Sequence, residues 1–367
     1  MKSSGDRVFA IIVLILVITG IALFSSATLG LLARANSSPG RLLVSQFALG
    51  LIPGLLALLF FRYLSPKNLT RFVLPFYIGT LILGLLVFVP GIGLSLNGAR
   101  RWIDLGFTTF QPAEFMKISV ILMLSAYLAK AKDTLADVKK GLLPFAFIVG
   151  LPCIILMFQK NTSTILIIGA SCTAVYFLAG APKRDFVGII VSAVIVLTAL
   201  VFTHPYLMKR VQTFINPSNN AQTTGYHIQQ SLIAIGSGGI MGRGFGQSVQ
   251  KFNYLPEAES DSVFAVFGEE FGFIGTVLLV LLFVAFAMRG FMIAAEAGTV
   301  FGALTVTGLT LLISLSAFLN IGALLGILPL TGLPLPFISH GGTALMAVLV
   351  SVGIILHVAA NTSKKRT

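Results

Sequence analysis

The chain has 367 residues, of which 56% are hydrophobic and only 10% are charged. An ordinary soluble domain carries about 25% charged residues, so this composition excludes one. The net charge of +13 comes from Lys and Arg residues that lie mostly in short segments between apolar runs, where such residues set membrane topology. We therefore expect no nucleic-acid partner.

Apolar runs recur along the whole chain, and each is long enough to cross about 30 Å of hydrocarbon as a helix. The pattern predicts an all-α polytopic membrane protein, with one integral membrane domain over residues 1–367. Ten membrane-spanning segments are predicted, at residues 8–28, 42–61, 71–90, 112–129, 142–158, 161–180, 185–203, 267–288, 299–323 and 341–360. Because the short loops on the side of the two termini hold more Lys and Arg, both termini are predicted to be cytoplasmic.

The stretch NGARRWIDLGFTTFQPAEFMK leads from an outer loop into span four. Glu114 and Lys117 are three residues apart, so they share one face of a helix. A charged pair at this depth either forms an ion pair that locks helix packing or lines a polar cavity. Arg100, Arg101 and Trp102 suit the headgroup region as interfacial anchors. They also suit phosphate binding, because Arg presents forked donors to phosphate oxygens.

The longest polar segment, residues 204–262, is predicted to be an outer loop between spans seven and eight, and we expect it to be ordered against the membrane face. Within it, GSGGIMGRGFGQSVQK superficially resembles a nucleotide-binding loop, but no strand precedes it and it lacks Gly-Lys-Ser/Thr. No nucleotide cofactor is therefore expected. Its glycines instead favour tight turns and close approach of the backbone. Arg210, Arg243, Gln250 and Lys251 add hydrogen-bond donors to the loop.

The stretch YLPEAESDSVF gathers carboxylates at the end of this loop, although only 12 residues of the chain are acidic. Asp261 stands just before an apolar run, so it is a candidate N-cap of span eight. An ionised Asp beside cations is also a candidate general base or ligand of a divalent cation. With Glu257, Glu259, Glu269 and Glu270 it predicts an acidic rim beside the cations of the loop.

The stretch LPLTGLPLPFISHGGTALM contains prolines that exclude a regular helix interior. Non-helical backbone at membrane depth persists only where it is buried or lines a cavity. The stretch is therefore either a connecting loop or part of a cavity wall. Ser339, Gly341 and Gly342 are predicted to lie at its tip.

Four motifs in this order, ARRWIDLG…QPAEFMK, YHIQQSLIAIGSGGIMGRGFGQSVQKFNYLPE, SDSVFAVFGEEFGFIG and LPLPFISHGG, resemble those of the SEDS family of shape, elongation, division and sporulation proteins. The resemblance covers essentially the whole chain, and QKFNYLPEAESD is most similar to the FtsW division branch. It implies a peptidoglycan glycosyltransferase in the bacterial cytoplasmic membrane. The implied substrate is lipid II, an undecaprenyl diphosphate-linked disaccharide-pentapeptide that is polymerised at the outer face during cell division or shape maintenance. The implied partners are a class B penicillin-binding transpeptidase and other membrane proteins of the divisome or elongasome.

The resemblance places the family's catalytic aspartate at Asp261 and its polar pair in span four at Glu114 and Lys117. A divalent cation, Mg²⁺ or Mn²⁺, is a candidate cofactor, with Asp261 as a candidate ligand. The candidate substrate-binding residues are Arg100, Arg101, Trp102, Glu114, Lys117, Arg210, Arg243, Gln250, Lys251, Glu257, Ser339, Gly341 and Gly342.

The chain departs from the family pattern at three places. ESDS replaces the usual His-Thr-Asp-Phe around Asp261, Asn161 stands where an Asp is usual, and His340 stands where a Tyr is usual. Two other functions fit the same polar cavity. A lipid II flippase should carry internal repeats and helices broken at the membrane midplane, and we see no convincing repeat between the two halves. A scaffold that only recruits a transpeptidase would not depend on Asp261.

Overall fold

Twelve α-helices make up most of the residues described by the computed structural model, which are 4–31, 40, 44, 46–64, 66–96, 98–106, 108–216, 224–252 and 254–365. The helices are α1 (Ser4–Leu31), α2 (Ile52–Tyr63), α3 (Pro66–Leu86), α4 (Pro112–Ala131), α5 (Leu142–Phe158), α6 (Thr162–Leu178), α7 (Lys183–Thr203), α8 (Pro205–Ile215), α9 (Thr224–Ser237), α10 (Val263–Ala295), α11 (Val300–Leu324) and α12 (Gly342–Lys365). A π-helical turn, Gln46–Leu51, leads into α2.

Within the described ranges, eight helical stretches are long and apolar enough to cross a membrane, and α5 and α6 are shorter apolar helices. These ten segments coincide with the ten predicted spans, so the predicted fold class is confirmed. The edges differ most at span eight, which was expected to begin at residue 267. In the structure α10 begins at Val263, because the residues after Ser262 are apolar and pack in the core. The start of span two at residue 42 lies outside the described residues.

The central helices of the bundle are α4, α11 and α12. Over an apolar stretch of 18 residues, 78% of the residues are buried in α4 and in α12, and 72% are buried in α11. In contrast, no residue of the corresponding stretch in α7 is buried. The site described below is built on the central helices, whose positions are fixed by packing.

Two parts of the predicted outer face carry further structure. Between α3 and α4, an antiparallel sheet is formed by β1 (Gly93–Leu96), β2 (Ala99–Asp104) and β3 (Thr109–Phe110), in the order β1-β2-β3. The predicted loop of residues 204–262 contains α8 and α9, and its order against the membrane face stays a prediction.

The glycine-rich turn after α9 packs against a kink in α10. Gly272 adopts φ 66° and ψ −163° inside that helix, and the Phe273 amide donates to the Gly239 carbonyl at 2.8 Å. A Cβ at Gly242 would lie 2.2 Å from the Glu270 carbonyl oxygen. The glycines therefore serve close approach of two backbones, which confirms the interpretation of this turn as a set of tight bends.

Candidate active site

A cavity of about 550 Å³ opens where one end of the helix bundle meets the sheet and the loops. It is lined by parts of β2, β3, α4, α6, α8, α9, α11 and α12, by the turn of residues 257–261 and by the proline-rich loop before α12. The candidate residues that line it are Arg101, Trp102, Glu114, Arg210, Glu257, Asp261, Gly341 and Gly342. The structure therefore brings together in one cavity residues that are far apart in the sequence.

Asp261 lies in the cavity wall, two residues before α10 begins. The N-cap residue of α10 is Ser262, and the cap makes no side-chain hydrogen bond to the helix. The Asp261 carboxylate instead accepts a hydrogen bond from the Ser260 hydroxyl at 3.2 Å. This placement leaves the carboxylate available to the cavity rather than engaged in capping the helix.

Burial raises the pKa of the Asp261 carboxyl above its usual range. The hydrogen bond from Ser260 and the charges of Arg210 and Arg101 act in the opposite direction, and the charge of Glu259 adds to the rise. A raised pKa makes a carboxylate a stronger base, and a general base works best when its pKa lies near the operating pH. The environment of Asp261 therefore suits proton abstraction.

Two arginines face the same cavity from different elements. Arg101 on β2 donates to the backbone carbonyl oxygens of Gln159 and Lys160 in the loop between α5 and α6. Arg210 on α8 lies 4.5 Å from the centre of the Tyr206 ring and donates to the Thr331 carbonyl at 3.4 Å. A Cβ placed on Gly332 would lie 3.4 Å from Asp261 Oδ2 and 3.5 Å from Arg210 Nη2. The carboxylate and the guanidinium thus flank one gap in the wall.

Glu114 and Lys117 form an ion pair at the first turns of α4. Lys117 Nζ lies 2.9 Å from Glu114 Oε2, and the two residues are only 4% and 6% exposed. Glu114 lines the main cavity, and both residues line a small adjoining one. The structure therefore combines the two alternatives from the sequence, because the residues pair with each other at the floor of a polar cavity.

Three successive backbone carbonyls hold the turn that carries Asp261. The Glu259 carbonyl accepts from the His340 amide at 2.8 Å, the Ser260 carbonyl from the Ser339 hydroxyl at 2.6 Å, and the Asp261 carbonyl from Asn320 Nδ2 at 2.8 Å. The proline-rich loop and α11 therefore fix the backbone of the turn of residues 257–261. In this chain the loop is a cavity wall and not a simple connector.

Several candidate residues lie away from the cavity lining. Arg100 is exposed on β2, and Ser339 holds the backbone and lines only the small cavity. Arg243, Gln250 and Lys251 lie around Glu269 and Glu270 instead. A role for these five residues in substrate binding stays a prediction.

The expected acidic rim is wrong for Glu269 and Glu270, because both are completely buried. Glu269 accepts from the Ser248 hydroxyl at 2.6 Å and from two backbone amides. Glu270 pairs with buried Lys251 at 2.9 Å and accepts from the Ser26 hydroxyl of α1 at 2.6 Å. These contacts join the glycine-rich turn, α1 and α10, so both carboxylates are structural.

Sequence reasoning missed several residues of the cavity wall, among them His227, Asn320, Thr331 and Gly332. His227 Nε2 lies 2.5 Å from the Ser262 hydroxyl, next to Asp261, and burial lowers the pKa of this His. A signal existed only for Asn320, which is a carboxamide inside an apolar span. The other three lie in loops and in a short helix, where nothing in the sequence distinguishes them.

A preformed metal site is not supported by the donor set. Among the described residues, no group of three or more His, Cys, Asp or Glu side chains is arranged to hold a metal ion. Asp261 faces two arginines, which compete with a cation for its carboxylate. The residues present therefore do not fit a divalent cation held by the protein alone.

The fold and the site define a polytopic helical membrane protein with a charged cavity at one end of its bundle. A family model described as "Cell cycle protein" (FtsW/RodA/SpoVE) matches residues 6–364, and the chain belongs to this family. It is 38% identical over 273 residues to Stage V sporulation protein E of Bacillus subtilis, covering 74% of this chain and 75% of that protein. It is 33% identical over 353 residues to "Probable peptidoglycan glycosyltransferase FtsW" of Geobacter sp. (strain M18), covering 96% of each chain.

The fold is also similar to that of a solved structure. A chain reported under "Structural coordination of polymerization and crosslinking by a peptidoglycan synthase complex" superposes with a TM-score of 0.75 at 28% identity. The match covers 93% of this chain and 96% of that one. The likeness therefore extends over most of the chain.

Proposed function

We propose that this protein is a peptidoglycan glycosyltransferase that polymerises lipid II into glycan strands, in cell division or shape maintenance. The observation that carries the proposal is Asp261, a partly buried carboxylate in a cavity that also presents Arg101 and Arg210. The names of the relatives support the same reaction class. A lipid diphosphate donor is already activated, so no nucleotide is needed.

The chemistry follows from the positions of these groups. Asp261 accepts the proton of the 4-hydroxyl of one lipid II as its oxygen attacks the anomeric carbon of the growing strand. The bond from that carbon to the diphosphate oxygen breaks, and the electron pair leaves with the diphosphate. Arg101 and Arg210 stabilise the charge that develops there, since fixed cations act strongly where water is excluded. Direct displacement inverts the anomeric carbon.

The participation of a divalent cation in the reaction stays a proposal. Because no described cluster supplies three protein ligands, a cation would have to arrive bound to the diphosphate. We therefore assign no step of the mechanism to it. Full activity of the purified protein after chelation would remove the cation from the proposal and leave the role of Asp261 untouched.

The decisive experiment is polymerisation of purified lipid II by the Asp261→Asn variant. Because a general base typically contributes about 10²–10⁴-fold in rate, we expect glycan strands on a gel to fall to background. Asp137→Asn, which changes an exposed carboxylate in the loop after α4, is the matched control. Near-normal strand length from Asp261→Asn would overturn the general-base assignment. A flippase or a scaffold would show no polymerisation even in the wild-type protein.

We also propose that the protein works with a class B penicillin-binding transpeptidase in the bacterial cytoplasmic membrane, with both termini in the cytoplasm. The solved peptidoglycan synthase complex, which coordinates polymerization and crosslinking, supports such a partner. Docking of a partner can shift the cavity between open and closed populations. Titration of the purified transpeptidase into the polymerisation assay should raise turnover. Full turnover that no amount of transpeptidase changes would remove the partner and leave the glycosyltransferase assignment standing.

A further inference from the structure

Four of the side chains that line the main cavity carry a buried polar atom with no hydrogen-bond partner among the residues that the structure describes. These atoms are Glu259 Oε2, Asn320 Oδ1, Thr331 Oγ1 and His340 Nε2. Buried polar groups are nearly always hydrogen-bonded, and an exception calls for an explanation. Because these four side chains line one cavity, a ligand bound there would supply the missing partners.

His340 is held in a fixed orientation. Its ring stacks on the buried Phe24 of α1, with 5.5 Å between the ring centres and 17° between the planes. Its backbone amide donates to the Glu259 carbonyl at 2.8 Å. Burial lowers the pKa of His340 to about 4, so the ring is neutral at neutral pH. A neutral imidazole has one donor and one acceptor nitrogen, which suits a hydroxyl or an amide rather than a phosphate.

The polar groups around Asp261 are of two kinds. Arg210 contacts the Thr331 carbonyl and flanks the gap at Gly332. Glu259 and His340 are joined through their backbones and present a carboxylate oxygen and a neutral ring nitrogen. Guanidinium groups match phosphate oxygens. A carboxylate repels a diphosphate but accepts readily from sugar hydroxyl and amide donors.

We propose that Glu259, Asn320 and His340 form a carbohydrate subsite that holds the sugar whose hydroxyl attacks, while Arg101 and Arg210 hold the diphosphate of the donor. The proposal rests on the proposed glycosyl transfer and names which part of the cavity takes which part of the substrate. Asp261 adjoins both groups, because its carboxylate and Arg210 flank the gap at Gly332 and its backbone carbonyl accepts from Asn320.

Direct binding measurements test, without any turnover, whether separate parts of the cavity bind the sugar and the diphosphate. Trp102 is the only Trp of the chain and lines the cavity, so its fluorescence reports occupancy. Two probes are titrated into the purified protein: the soluble disaccharide-pentapeptide without lipid or phosphate, and undecaprenyl diphosphate. His340→Phe keeps a flat ring against Phe24 and removes both nitrogens, and Glu259→Gln keeps the shape and removes the charge. His204→Phe, at the exposed junction of α7 and α8, is the matched control.

We expect His340→Phe and Glu259→Gln each to weaken binding of the disaccharide-pentapeptide about tenfold, the scale of one lost hydrogen bond. Binding of undecaprenyl diphosphate should be unchanged in both variants and weakened in Arg210→Gln. Equal effects on the two probes, no effect on either, or no binding of the disaccharide-pentapeptide to the wild-type protein would overturn the proposal. If His340→Phe lowers Tm, its loss of binding could reflect misfolding, and the isosteric Glu259→Gln variant then decides whether the proposal stands. Because the readout is binding, a failure of Asp261 as the base leaves this test intact.

Discussion

The Ser339 hydroxyl donates a hydrogen bond to the Ser260 carbonyl at 2.6 Å, one residue before Asp261. The same hydroxyl oxygen accepts from the Leu335 amide at 2.7 Å. Ser339 therefore links the proline-rich loop to the turn that carries the candidate base. The family resemblance places Ser339 in the binding site, and this geometry gives it a positioning role through the backbone.

Replacing Ser339 by Ala should displace the turn and lower polymerisation. The change strands a buried amide and a carbonyl, each of which costs about 1–3 kcal/mol when unsatisfied. Both Tm and kcat should fall, because Asp261 loses its support. The matched control is Ser192→Ala, since that hydroxyl bonds only its own exposed helix. Activity of Ser339→Ala equal to that of the control would refute the positioning role.

Removing both partners of the Glu114–Lys117 pair should destabilise the protein less than the sum of the two single removals. Each single change, Glu114→Gln or Lys117→Met, leaves a buried charge alone, at a cost of about 3–5 kcal/mol. The double variant should therefore lose less stability than the sum of the two singles. A double-mutant cycle of unfolding free energies measures the coupling. Strictly additive losses would contradict direct pairing.

Gly332→Ala should impair catalysis by filling the gap between Asp261 and Arg210. Its Cβ would contact Oδ2 of the carboxylate and Nη2 of the guanidinium, where the substrate must pass. The position also has φ +63°, which costs a residue with a Cβ about 1–2 kcal/mol. Gly180→Ala separates the two effects, because Gly180 has φ +97° with no atom near its Cβ position. A Gly332→Ala variant as active as Gly180→Ala would show that the gap is not on the reaction path.

The rate of polymerisation should be lost as pH falls through the pKa of Asp261, because only the ionised carboxylate accepts a proton. Burial raises that pKa, so the acid limb should lie above the usual range of an aspartate. Arg210 lowers the pKa of Asp261, so Arg210→Gln should move the limb to higher pH. The quantity measured is the pH at which the rate falls to half on the acid side, rather than the maximal rate. A limb that shifts to lower pH in Arg210→Gln, or does not move, would contradict this assignment.

The fold could be predicted from the sequence because each span is a local property of a continuous apolar run. A helix satisfies its backbone hydrogen bonds within the segment, so hydropathy and length alone locate it in lipid. Glu114 and Lys117 could be paired for the same reason, since three-residue spacing on a helix fixes their proximity. Asp261 became a candidate because carboxylates cluster around it in a chain with few acidic residues, and because the family motifs place the catalytic aspartate there.

The tertiary structure decided which polar residues share the cavity. Arg243, Gln250 and Lys251 follow Arg210 in the same loop, yet they lie around Glu269 and Glu270, while Arg210 reaches the cavity. His340, Asn320 and Asp261 are brought together by hydrogen bonds between loops and helices that are remote in the chain. Such contacts depend on how the helices pack and where the loops cross. Neither the helical period nor hydropathy carries that information, because both describe neighbours along the chain and not neighbours in space.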